Sequence, residues 1–84
     1  MNNIVLVGSS GHAKVIIDIV EKEGRYRIAG LIDAFRGVGE TTLGYSVLGS
    51  ETDLPGLIKE HDLRGIAIAI GLSTVVWALV AFLL

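Results

Sequence analysis

No cysteine occurs among the 84 residues, which excludes disulfides and thiolate metal sites. Only two histidines are present, His12 and His61, far apart and with no carboxylate cluster around either, so no metal centre is expected. Seven Lys and Arg stand against nine Asp and Glu, a net charge of −2. The cations are scattered, so no basic stripe is offered to a nucleic acid. Met1-Asn2-Asn3-Ile4-Val5 has neither a cationic segment nor a cleavage signal for secretion, which makes the cytoplasm the expected location. The phosphate-loop pattern G-x-x-x-x-G-K-[ST] is missing as well. Of the histidines only His12 could serve a serine as base, and it is tethered to the same loop as Ser9 and Ser10. No catalytic residue is nominated.

What the chain has in quantity is glycine, 11 residues, and hydrophobic side chains, 51%. Its length allows one small domain with a modest core. Ile4-Val5-Leu6-Val7 is a continuous apolar run bounded by Gly8, the pattern of a strand buried on both faces of a parallel sheet. Residues 12–23 read as a helix with Val15, Ile16, Ile19 and Val20 as its buried stripe, Lys14, Asp18 and Lys22 on the solvent face, and Gly24 as its stop. A second strand is expected over residues 25–32, ending at Asp33, then a loop over 34–44 and a short strand over 45–48. Ser50-Glu-Thr-Asp53 has the form of a capping box, and Pro55 suits a first helical turn. A short helix to about residue 60 and a strand over 66–70, ended by Gly71, complete the pattern. Strand, helix, strand, helix, strand in this order points to α/β architecture: a small Rossmann-like three-layer unit with a parallel sheet of about four strands.

The segment after Gly71 is different. From residue 65 to 84 there is no charge. A helix of about 20 residues would span the bilayer core, but that would take the 66–70 strand out of the sheet. With the strand kept, a helix from Ser73 is about 18 Å long and cannot span. A buried or self-associating apolar helix over 72–84 is therefore favoured over a membrane anchor. Such a helix has no solvent face, so a second copy or a partner chain is expected to cover it.

Between the first strand and helix lies Val7-Gly8-Ser9-Ser10-Gly11-His12-Ala13-Lys14-Val15. Glycines there let the backbone turn tightly and approach a phosphate, and the N–H groups at the helix start bind the anion. Against the dinucleotide pattern G-x-G-x-x-G/A the chain offers Gly8, Ser10 and Ala13, so the middle glycine is replaced. Asp33, at the end of the second strand, stands where an acid commonly meets a ribose hydroxyl and reads equally well as a turn-forming aspartate. His12, in the first helical turn, is a candidate hydrogen-bond partner for a sugar or phosphate, or else packs its ring against the sheet edge; His61 reads as a solvated residue near a helix end.

Several segments taken in order resemble one family. They are Ile4-Val-Leu-Val-Gly-Ser-Ser-Gly-His-Ala-Lys-Val-Ile-Ile-Asp18, Ile28-Ala-Gly-Leu-Ile-Asp33, Leu43-Gly-Tyr-Ser-Val-Leu-Gly-Ser50 and Ala67-Ile-Ala-Ile-Gly71. Together they resemble the N-terminal domain of bacterial sugar acetyltransferases of the PglD/NeuD type. The resemblance implies a Rossmann-like module over residues 1–71 that binds a nucleotide-sugar, often a UDP-linked amino sugar. It implies Gly8, Ser9, Ser10, Gly11 and His12 as the phosphate loop, Asp33 as the acid near the nucleoside, and Gly71 as the start of the loop facing the sugar. The family's acetyl-CoA site, catalytic histidine and trimer contacts belong to a following left-handed β-helix that this sequence does not contain. Residues 72–84 also depart from the Asn or Asp and charged helix usual there. A shortened or frame-shifted form is the expectation, binding no cofactor itself and without acyl transfer of its own. Two other readings are carried: an NAD-binding domain of an oxidoreductase, resting on Gly8, Ser10, Ala13 and Asp33 alone, and a small membrane-associated protein anchored by residues 65–84.

Overall fold

The computed structural model describes residues 1–8, 11–70 and 76–81, with side chains through residue 68. The elements are β1 (Asn2–Val7), α1 (Gly11–Glu23), β2 (Tyr26–Ile32), β3 (Thr41–Thr42), β4 (Tyr45–Gly49), a 3-10 turn at Glu51–Asp53, α2 (Leu54–His61), β5 (Leu63–Ile70) and β6 (Val76–Ala81). They form one sheet in the order β3-β4-β2-β1-β5-β6. The inner four strands run parallel, and the outer two pair antiparallel to their neighbours. The architecture expected from the sequence is therefore present. The chain moves outward from β1 to β2 and β4, then crosses to the far side of β1 for β5, so β1 and β5 flank a topological switch point.

Side-chain alternation along β1 sets the layers. Ile4 and Leu6 pack with Ala13, Ile16, Ile17 and Val20 of α1, while Val5 and Val7 pack with Leu54 and Leu57 of α2 on the other face. The stripe of α1 differs from the expected one. Ile17 is fully buried and Val15 is 42% exposed. Val15-Ile16-Ile17 is apolar around more than one face, so two adjacent stripes fit the sequence equally well. The small side chain of Ala13, itself buried, lies on the face that meets the sheet. On the solvent side Lys22 pairs with Asp18 at 3.1 Å, an exposed contact worth little.

The strands are not regular. Ile4 opposes Ile28 but Val5 opposes Gly30, which leaves Ala29 as an extra residue in β2. This bulge turns Ile28 and Leu31, three apart, to the α1 face, and Ala29 and Ile32 to the α2 face. A shift in β5, where Asn3 opposes Leu63 and Ile4 opposes Gly65, places Leu63 and Ile66 together on the α2 face. The Ser50–Asp53 box forms as expected, with the Asp53 carboxylate accepting from the Ser50 N–H at 2.9 Å.

The loop expected over residues 34–44 contains a small hairpin. Thr41 and Thr42 pair with Ser46 and Tyr45 through a two-residue turn in which Leu43 has φ +50 and Gly44 φ +88. Positive φ at both central residues marks a type I′ turn, for which Asn-Gly is the preferred pair. Leu43 is 59% exposed, so its side chain does little to offset the left-handed backbone. Leu43→Asn is expected to stabilise the domain by about 0.5–1 kcal/mol, read as a raised urea midpoint at unchanged slope.

Over residues 76–81 the apolar helix expected of the C-terminal segment is replaced by β6, paired with β5 from Ile70↔Val76 to Gly65↔Ala81. Periodicity does not separate helix from strand in a continuous apolar run. Val76, Trp77 and Val80 favour the extended form, and β5 would otherwise present its backbone donors and acceptors unpaired along an open edge. The rest of that expectation, residues 72–75 and 82–84, lies outside the described residues. Among the described residues no helix is long and apolar enough to cross a membrane.

Candidate functional site

The carboxyl ends of β1, β2 and β4 lie together, and each leads into a residue of interest. β1 runs into Gly8, whose φ of +103 lies where L side chains are strained. Its N–H donates to the Ile32 carbonyl at 2.7 Å. That bond ties the end of β1 to the end of β2 and commits the Gly8 donor within the protein, so anion donors must come from further along the loop or from α1. The first-turn N–H groups of a helix have no intrahelical acceptor, and α1 begins at Gly11 with no acidic residue in that turn. β2 runs into Asp33, whose N–H donates to the carbonyl of Gly49 at the end of β4, 3.0 Å away.

Above these ends is a cavity of about 170 Å³. Val7 and Ile32 supply apolar lining, and Gly8, Asp33 and Ala34 line it beside them. Phe35 and Glu51 complete its wall. The lining is mainly apolar, and Asp33, Glu51 and Phe35, the last 95% exposed, are among its residues. Carboxylates accept from hydroxyl and N–H donors and repel phosphate.

The segment after β2 is built around hydrogen bonds. Asp33 Oδ1 accepts the N–H of Phe35 at 2.8 Å and of Arg36 at 3.1 Å, an Asx-type turn. Arg36 reaches Glu40 at 3.3 Å and the Thr41 carbonyl at 2.8 Å. Glu40 also accepts the Gly37 N–H at 2.7 Å. The Gly37 N–H first, and the Arg36 guanidinium second, hold the Glu40 carboxyl below its ordinary pKa. Backbone bonds from Gly39 to Val47 at 2.9 Å and from Val47 to Glu40 at 2.8 Å fasten the segment to β4. On the α1 side of the sheet, the Tyr45 hydroxyl donates to Glu21, and this bond raises the Tyr45 pKa.

Of the residues singled out in the sequence, Gly8 and Asp33 share this cavity. Gly11 and His12 open α1, with His12 half-buried, and do not line it. Ser9, Ser10 and Gly71 lie outside the described residues. His61 ends α2, and its carbonyl accepts from the Asn3 side chain at 2.9 Å. Sequence reasoning missed Phe35 and Glu51. The signal for Phe35 was present, an aromatic two residues beyond a strand-ending aspartate. Glu51 was legible only as part of a helix start, because its place beside Asp33 depends on β4 lying next to β2. Among the described residues no group of three or more His, Cys, Asp or Glu is arranged to hold a metal ion.

No curated protein and no solved structure matches the chain. The family model for the PglD N-terminal domain matches residues 3–81, a span running from β1 through β6 and including the cavity. The chain belongs to the PglD N-terminal domain family.

Proposed function

We propose that the chain is the nucleotide-sugar-binding module of a sugar acetyltransferase, with a UDP-sugar as the leading ligand. The observation that carries this reading is the meeting of Gly8 and Asp33 in one cavity at the carboxyl ends of β1 and β2, where open α/β sheets bind ligands. In this reading the uncharged nucleoside occupies the cavity, its hydroxyls donating to Asp33 and Glu51. The diphosphate leaves the carboxylates behind and meets the N-terminus of α1, with Ser9, Ser10, Gly11 and His12 alongside. The sugar extends toward Gly71. In this reading acetyl-CoA and the acyl-transfer step belong to the family's left-handed β-helix.

A thermal-shift series on the whole chain tests this. UDP or a UDP-sugar is expected to raise Tm, by about 2.7 kcal/mol of added stability at a hundredfold excess over Kd, and NAD is expected to leave it unchanged. Stabilisation by NAD in preference to UDP would move the chain to the oxidoreductase reading.

A further inference from the structure

We propose that Phe35 is the stacking platform for the nucleobase, a positioning residue outside the glycine-rich loop; this rests on the nucleotide reading above. The ring is 95% exposed and joins neither hydrophobic core, so packing gives no account of it. Its backbone is nevertheless fixed. The Phe35 N–H is held by Asp33 Oδ1 at 2.8 Å, and the next residue, Arg36, is held by Asp33, Glu40 and Thr41. A hydrogen-bonded backbone that carries an exposed aromatic residue at a cavity is already arranged for a planar ligand, and little loop ordering is left to oppose binding.

The rest of the cavity says which part of a nucleotide fits. Val7 and Ile32 give it apolar surface, suited to the face of a base. Asp33 and Glu51, also among the lining residues, disfavour phosphate and accept N–H and O–H donors, which a base edge and a ribose both supply. Stacking on an aromatic ring is tolerant of base identity because every base has a π-face. Phe35 therefore supplies affinity for the base with little discrimination between bases.

The test is a titration of the full chain with UDP, uridine and ribose 5-phosphate, followed by amide chemical shifts. Phe35→Ala is expected to weaken UDP and uridine by about 5- to 100-fold, with ribose 5-phosphate unaffected. Phe35→Tyr, which keeps the ring, is expected to restore UDP and uridine binding. A loss shared equally by ribose 5-phosphate, or a UDP affinity unchanged in Phe35→Ala, overturns the stacking role and leaves the nucleotide reading standing. A wild-type chain that binds neither UDP nor uridine overturns both.

Discussion

Ile17→Ala is expected to cost about 2–5 kcal/mol, while Val15→Ala, two residues earlier in the same helix, shifts stability by less than about 0.5 kcal/mol. Both side chains are β-branched and both lie in one unbroken apolar run, so composition gives no reason to rank them. The difference is burial. Ile17 is fully enclosed among α1 and the sheet, and Val15 is 42% exposed. Removing Ile17 leaves a cavity that the surrounding strands, fixed in their ladders, fill only in part. In a domain of this size each kcal/mol moves Tm by about 4–8 °C, so Ile17→Ala sits near the limit of what the fold tolerates. Urea unfolding of the two variants side by side measures this, and equal midpoints would remove Ile17 from the core.

Gly30→Ala carries the second large effect, about 1–3 kcal/mol of destabilisation. Gly30 is buried beside β4, and a Cβ there would lie 2.5 Å from Leu48 Cγ, 2.6 Å from Leu48 Cδ1 and 2.9 Å from the Ser46 carbonyl oxygen. The leucine has other rotamers, but a carbonyl in a strand next to β2 moves only with its backbone. Introducing Leu48→Ala into Gly30→Ala tests that division. Two of the three close contacts vanish, so the double variant is expected to be more stable than the sum of the single losses by about 0.5 kcal/mol or more. Strict additivity would mean that Ser46 alone resists the methyl group.

The layers were legible because the four central strands carry unbroken or alternating apolar runs, and because Gly24, Ser50, Asp53 and Pro55 punctuate the helices between them. What escaped reading has physical causes. The stripe of α1 was ambiguous because Val15, Ile16 and Ile17 offer two faces. The bulge at Ala29 leaves no mark in composition, yet it decides which residues of β2 meet which helix. A turn at Leu43-Gly44 was hidden because leucine is a poor indicator of positive φ. The C-terminal segment was read as helix because nothing in its own residues records the open edge of β5. At the candidate site, Gly8 and Asp33 stood out through local motifs. Glu51 could not, since its neighbourhood is created by strand order.

The order of the strands also fixes the order of events in time. β1 is the first strand synthesised and sits at the centre of the sheet, between β2 and β5. Its contact with the residues just before β5 joins Asn3 to His61, a separation of 58 residues. Ribosomal elongation at about 5–20 residues per second leaves several seconds during which β1 has one neighbour at most. A nascent chain thus holds its central strand, with Ile4, Val5 and Leu6 all destined for burial, half-covered until β5 has been made. Non-local closure of this kind slows folding relative to a helical chain of equal length. The step that gives β1 its second neighbour is the arrival of β5, which brings Leu63 and Ile66 to the α2 face and Ala67 to the α1 face; β6 then covers the outer edge of β5.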